Sequence, residues 1–341
     1  MKHLPRWLLA ILAAGSTAPA CAQLIGADFD VHARGGSGGG TSTTDAGCAE
    51  AGCVETLAQD LPFPWDIQIR DGHAYVTVRG QEDAGDGKIL RIAVGGGTPE
   101  ILAEHVTYPN RIAVTSDWVY WTSSVASDSA VQRTARAGGG QVETFAAHQG
   151  FAIGLYADDE RVLWLADGVL KTKAPDEQGD GTAVSPYFGG TMLTYGGGVV
   201  YATGLDKAPG AGVYRIDLDA GEPKLLDTAA NANALALCSG IFYATLENPG
   251  QIRFVQIDGN GAVMIASNQP TPTGVACDGD HVYWGTEGDG HLWWSYRSGG
   301  QVNPLVIDQQ SPNGVAFDDA YVYWTVFLEH GWVARTPRPK P

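Results

Sequence analysis

The most regular feature of the chain is a phrase in which apolar and polar positions alternate, break at an acidic or glycine turn, and alternate again. It reads Asn313-Gly314-Val315-Ala316-Phe317-Asp318-Asp319-Ala320-Tyr321-Val322-Tyr323-Trp324 near the end of the chain. Close relatives begin at Thr273 and Ile153. With the Tyr of the final Tyr-Trp as anchor, the phrase recurs at Tyr75, Tyr120, Leu163, Tyr201, Tyr243, Tyr283 and Tyr323, in steps of 45, 43, 38, 42, 40 and 40 residues. Eight residues before each anchor stands an aliphatic: Ile67, Ile112, Leu155, Leu193, Leu235, Val275 and Val315. Eleven before it, four of the seven units carry a proline: Pro64, Pro109, Pro272 and Pro312. Alternation with period two marks strands, and phase held over seven periods marks a repeat architecture.

Each unit predicts four strands. In the second unit Ile112-Ala113-Val114 leads to the turn at Ser116-Asp117, and Trp118-Val119-Tyr120-Trp121-Thr122 carries the anchor. The third strand often holds a basic residue, as in Lys88-Ile89-Leu90-Arg91-Ile92, and a glycine hairpin such as Gly95-Gly96-Gly97 leads to a short fourth strand, Glu100-Ile101-Leu102-Ala103. Successive side chains of a strand point to opposite faces, so Tyr faces one way and the flanking Val and Trp the other. Both faces of every unit then need a covering neighbour. About forty residues and four strands per period predict an all-β fold, a seven-bladed β-propeller of four-stranded antiparallel blades. The last unit ends after Trp332-Val333-Ala334-Arg335 without a fourth strand, whereas Glu55-Thr56-Leu57-Ala58 precedes Pro64 just as Glu100-Ile101-Leu102-Ala103 precedes Pro109. Residues 55–60 are therefore predicted to complete the last blade and close the ring.

Composition adds cellular address rather than fold. Forty-six glycines, ten tryptophans and thirteen tyrosines against three methionines suit short aromatic strands and tight turns. A net charge of -17 repels phosphate backbones and anionic lipid, which excludes nucleic acid as a partner. Lys2, His3 and Arg6, the apolar run from Trp7 to Ala14 and the small residues to Ala20 read as a signal peptide over residues 1–20. Ala18-Pro19-Ala20-Cys21 admits two readings: ordinary cleavage, giving a soluble periplasmic or secreted protein, or a bacterial lipobox with acylation of Cys21. A cysteine is seldom placed there by chance in a chain with five, so a cell-envelope lipoprotein is the expectation, with membrane contact only through that anchor. Residues 21–54, rich in Gly, Ser and Thr, read as a disordered tether, and residues 55–341 as the propeller domain, expected as a monomer.

An exported compartment is oxidising, so cysteine pairing matters. Cys48 and Cys53 are predicted to form a local disulfide. Cys238 and Cys277 lie five and six residues before their anchors, on opposite strand faces of neighbouring blades, as a bridge would require. The usual distance between adjacent first strands nevertheless favours two buried thiols. Asp158, Asp159, Asp278, Asp318 and Asp319 are read as turn formers rather than metal ligands, and the recurring Tyr-Trp stripe as core rather than a sugar-binding surface.

At Tyr120-Trp121-Thr122, Tyr283-Trp284-Gly285 and Tyr323-Trp324-Thr325 the chain resembles the YWTD and NHL-like propellers, and especially secreted bacterial propeller repeats of uncharacterised role. The aspartate that follows the threonine in YWTD repeats is absent from all three copies. The resemblance covers residues 55–341 and implies fold rather than activity. Ligands of propellers usually bind on the face formed by the starts of the first strands and the loops after the second strands. Ten residues before each anchor that face receives Trp65, Asn110, Ile153, Thr191, Asn233, Thr273 and Asn313, with Arg111 beside Asn110. Its loops add Glu82, Asp83, Asp86, Asp206, Lys207, Glu247, Glu287, Asp289, His291, Glu329 and His330.

Residues 55–341 have no Gly-x-Ser-x-Gly elbow, His-Glu-x-x-His, phosphate loop or paired-cysteine metal motif, so the expectation is a non-enzymatic binding or protein-assembly module without a cofactor. Its partner would be a protein, glycan or small molecule at the cell envelope. The alternative is a metal-dependent lyase. Glu287-Gly288-Asp289-Gly290-His291 resembles the seven-bladed propeller lyases, which use histidine, glutamate and a divalent metal on the loop-rich face. That resemblance implies a metal on Glu287, His291 as base, and further groups from Glu329 and His330.

Overall fold

The computed structural model describes residues 51–81, 84–123, 129–204, 210–229 and 231–340. These residues form seven four-stranded antiparallel sheets. The first blade comprises Pro64–Arg70, His73–Val78, Gly87–Ala93 and Glu100–Val106, in that spatial order. First strands touch those of the preceding and following blade all the way round, the last touching the first, so they form the inner wall of a closed ring.

The ring closes as the repeat phase predicts. Glu55–Leu61 pairs antiparallel with Gly331–Pro337, placing Glu55 opposite Arg335 and Ala58 opposite Val333, and so supplies the outer strand of the seventh blade. Leu57 and Ala58 are buried in one cluster with Val76, Leu90 and Ile92 of the first blade and Tyr323 of the seventh. The closing strand is therefore held by its own sheet and by the next one. Bonding starts before it, since the Gly52 N–H donates to Thr336 Oγ1 at 2.9 Å.

One apolar cluster fills each gap between blades. Tyr75 packs with Val119 and Trp121 of the next blade, Tyr120 with Val162 and Trp164, and Tyr283 with Val322 and Trp324. Trp121, Trp164, Trp284 and Trp324 are fully buried, as the core reading of the stripe requires. Three of these indoles donate to a glutamine: Trp121 to Gln132, Trp164 to Gln149 and Trp284 to Gln269. Asp158, Asp278 and Asp318 cap their own turns, whereas Asp159 accepts from Ser116 of the neighbouring blade at 2.8 Å. Asp278 Oδ1 accepts from the N–H groups of Asp280 and His281, and Asp318 Oδ1 from those of Ala320 and Tyr321. Their second oxygens take the anchor hydroxyls of Tyr283 and Tyr323.

The two-thiol expectation for Cys238 and Cys277 is overturned. They are joined as a disulfide with Cα atoms 6.3 Å apart. Strand bodies would stand too far apart, but Cys238 lies beyond the end of its strand, Ala232–Leu237, in the turn position that three other blades give to Asp158, Asp278 and Asp318. The turn carries it to Cys277 at the end of the neighbouring first strand, Pro272–Cys277. Cys53 is also disulfide-bonded. Its expected partner Cys48, the acylation candidate Cys21, the signal peptide and nearly all of the tether lie outside the described residues.

Candidate ligand-binding face

Pro64 pairs with Val78, so the start of the first strand and the end of the second share one face. Threonines two residues after the anchors knit this face together. Thr77 Oγ1 accepts the Asp66 N–H of its own blade at 3.0 Å and donates to Asn110 O of the next at 2.8 Å. Thr122 repeats this with Arg111 N–H and Ile153 O, and Thr325 with Gly314 N–H and Trp65 O. Each hydroxyl satisfies the backbone at the bulge of its own first strand and fastens it to the neighbour. The sixth blade carries Gly285 instead, and Thr273 of its first strand donates to Pro312 O at 2.8 Å. The threonine of the Tyr-Trp-Thr phrase is thus an inter-blade link, a role its position did not disclose.

The predicted face residues divide into two groups. Trp65, Asn110, Arg111 and Asn313 meet where the seventh, first and second blades adjoin. Asn313 Nδ2 donates to Trp65 O at 2.8 Å, Asn110 is buried, and Arg111 Nη1 lies 3.4 Å from Asp66 Oδ1. Asn233, half-buried, belongs to the fifth blade. Glu247, Glu287, Glu329 and His330 are exposed. His330 Nδ1 lies 3.9 Å from Asp60 Oδ1, and His291 stacks on Trp293 with Nδ1 2.6 Å from Asp289 O. The four residues required for the lyase alternative form no metal-holding group: among the described residues no three His, Cys, Asp or Glu side chains cluster in that way. Asp86 is described and accepts from the Gln81 N–H at 2.9 Å, whereas Glu82, Asp83, Asp206 and Lys207 lie outside the described residues.

At the junction of the first group is a residue the sequence reading missed. Arg79 follows the second strand of the first blade and is only 3 % exposed. Its Cζ lies 3.2 Å from the centroid of the Trp65 ring, 4.7 Å from Tyr108 and 5.7 Å from Phe327. Phe327 packs edge-on against Trp65 at 5.0 Å and tilted against Phe63 at 5.3 Å. The guanidinium donates to Asn110 Oδ1 at 3.0 Å and to Tyr108 OH at 3.4 Å, both neutral acceptors. Burial pulls its pKa down to about 9; Tyr108 opposes the shift, and the Arg111 charge adds to it. Phe63 and Tyr108 hold positive φ of 56° and 43°, the conformation that Gly189, Asn231 and Thr271 adopt at the same point before their anchors, so it belongs to the entry turn of the repeat. A signal for Arg79 was present: four residues after the anchors the chain has Arg79, Ser124, Asp167, Leu205, Glu247, Glu287 and Phe327, so one position of seven is basic.

No protein-family model matches the chain, and no curated protein matches it. Solved structures of similar fold include a streptogramin B lyase, with 14 % identity, TM-score 0.66 and coverage of 82 % of this chain and 96 % of that one. A catalytically inactive virginiamycin B lyase from Staphylococcus aureus with quinupristin is 14 % identical, with TM-score 0.65 and coverage of 84 % and 99 %. U3-55K is 12 % identical at TM-score 0.65, covering 84 % of this chain and 98 % of that one. At such identities the likeness establishes a propeller fold and leaves activity open.

Proposed function

We propose that the protein is an exported, envelope-tethered binding module that engages its partner through the loop-rich face of the propeller, chiefly over the seventh, first and second blades. The observation that carries this reading is the Trp65–Arg79–Tyr108–Phe327 cluster. Elsewhere on the face described contacts between blades are hydroxyl-to-carbonyl links or apolar packing. Here aromatic rings surround a buried charge at a place where the other blades carry no basic residue, the pattern of a site rather than of a repeat. The Cys238–Cys277 disulfide suits an oxidising compartment, in line with export. A photo-crosslinking residue placed at Asn313 or Glu329 of the full chain should give a discrete adduct in intact envelopes, and one at Asp117 on the opposite face none. Adducts from Asp117 alone, or from no position, would overturn the reading.

The lyase alternative draws on the shared fold of the two lyases. It also requires Glu287, His291, Glu329 and His330 to converge. Calorimetric titration with Mg²⁺, Mn²⁺ and Zn²⁺ tests it, and heat abolished by His291→Ala would revive it.

A further inference from the structure

We propose that the cluster over the seventh, first and second blades is a carboxylate site, where Trp65, Tyr108 and Phe327 hold the body of an acidic ligand and Arg111 takes its carboxylate in the field of Arg79. This rests on the binding-module reading and names the ligand chemistry of that face.

Charge comes first. Several part-buried arginines meet a carboxylate: Arg335 pairs with Glu55, Arg253 with Asp227 and Arg338 with Asp278. Arg79 is more buried than these and meets only an amide oxygen and a phenol. A buried cation left with neutral partners is costly, and an anion brought close lowers that cost. The nearest acid, Asp66, is already committed. One of its oxygens accepts the Ile112 N–H at 3.0 Å and the other faces Arg111 at 3.4 Å.

Unused donors come second. Trp65 Nε1, Arg79 Nε and Arg111 Nε are buried without a hydrogen-bond partner among the described residues. All three belong to groups gathered round one indole, with the guanidinium carbons 3.2 and 6.0 Å from its centroid. Unpaired buried donors call for an acceptor, and a carboxylate offers about four lone-pair sites. Arg111 supplies the direct contact at the rim, because its side chain is 19 % exposed. Arg79, buried against the Trp65 ring, acts as a positioning charge. The half-buried rings of Trp65, Tyr108 and Phe327 favour a flat or apolar face on the ligand body.

Two sources of such a ligand exist, an aromatic acid and an acidic sugar, and the test separates them. The full chain is titrated calorimetrically with benzoate, galacturonate and, as the neutral control, benzamide. One of the two acids should bind and benzamide should not. Arg111→Gln should weaken that acid at least tenfold with the melting temperature kept, and Arg79→Met, which keeps the apolar stem, should do the same without touching the rim. No heat from either acid, equal binding of benzamide, or unchanged affinity in Arg111→Gln would overturn the proposal. Envelope crosslinks from the loop-rich face without acid binding would sink this inference and leave the binding module standing; acid binding without crosslinks would do the reverse.

Discussion

The junction of the seventh and first blades and that of the third and fourth solve the same packing problem with different chemistry. At the first, Thr325 links backbone to backbone, Arg335 donates to Val94 O across the gap, and Glu55 of the closing strand holds Arg335 from behind. At the other, the anchor is Leu163, the threonine is replaced by the fully buried Leu165, and the outer strand shrinks to Thr182–Ala183. Room for Leu165 comes from glycine. A Cβ on Gly154 would lie 2.9 Å from Leu165 Cδ1, and one on Gly190 2.7 Å from Cδ2. The ring thus tolerates exchange of a polar link for apolar volume wherever glycine opens the space. The polar version stands at the closure, through Thr325, and also between the first and second, second and third, and sixth and seventh blades, through Thr77, Thr122 and Thr273.

The largest effect should come from the closing strand. Deleting residues 55–61 removes buried Leu57 and Ala58 and leaves the outer edge of the last strand unpaired, a loss of at least about 4 kcal/mol. Chemical denaturation should show it, and an unchanged midpoint would reject the pairing as a source of stability. Next, Leu165→Ala should cost about 2–5 kcal/mol by opening a cavity between glycines that cannot fill it. Thr325→Val should cost only about 1–2 kcal/mol, because Trp65 O keeps its bond from Asn313 while the Gly314 N–H is left alone. A reversed order would mean that the hydroxyl link, not the apolar plug, is the stronger joint.

The contrast also explains what could be read from the chain beforehand. The blade count, the closing strand and the buried Tyr-Trp stripe were legible because each rests on side-chain alternation repeated seven times. The candidate site was only half legible. Trp65, Asn110, Arg111 and Asn313 came from their place in the repeat, whereas Arg79 was passed over although it breaks the repeat's chemistry. Tyr108 and Phe327 lie in loops whose conformation the pattern does not encode. Cys238 and Cys277 were misjudged because strand spacing was applied to a residue that sits in a turn.

Acid should probe the sixth and seventh blades selectively. Although burial opposes it, bonds from the Tyr283 hydroxyl and the His281 and Asp280 N–H groups, with the Arg338 charge, hold the Asp278 carboxyl below the usual range. Its folded pKa is depressed, so the stability it contributes is present above the unfolded value of about 3.9 and is lost as pH falls through the folded value. Asp278→Asn should lower stability near neutrality by about 1.5–3 kcal/mol, the range for hydrogen bonds to a charged group. The gap between variant and parent should narrow below pH of about 4. A gap constant with pH in melts would show that the carboxylate charge is not what the turn uses.

The smallest effect is the most direct comparison of the closing blade with an ordinary one. Glu55 and Arg335 repeat the pair Glu100 and Arg91, outer strand to third strand, but the glutamate side chain is 23 % exposed in the first pair and 45 % in the second. Exposed pairs contribute about 0–1 kcal/mol, since water already solvates both partners. Glu100→Gln should therefore stay within about 0.5 kcal/mol of the parent, and Glu55→Gln should cost about 1 kcal/mol. Of these two pairs the Glu55 one ties the closing strand to the last, so its loss should also speed unfolding while leaving refolding unchanged if the strand docks late. Equal costs for the two variants would mean that closure draws on Leu57, Ala58 and the backbone ladder alone, with the ion pair a bystander.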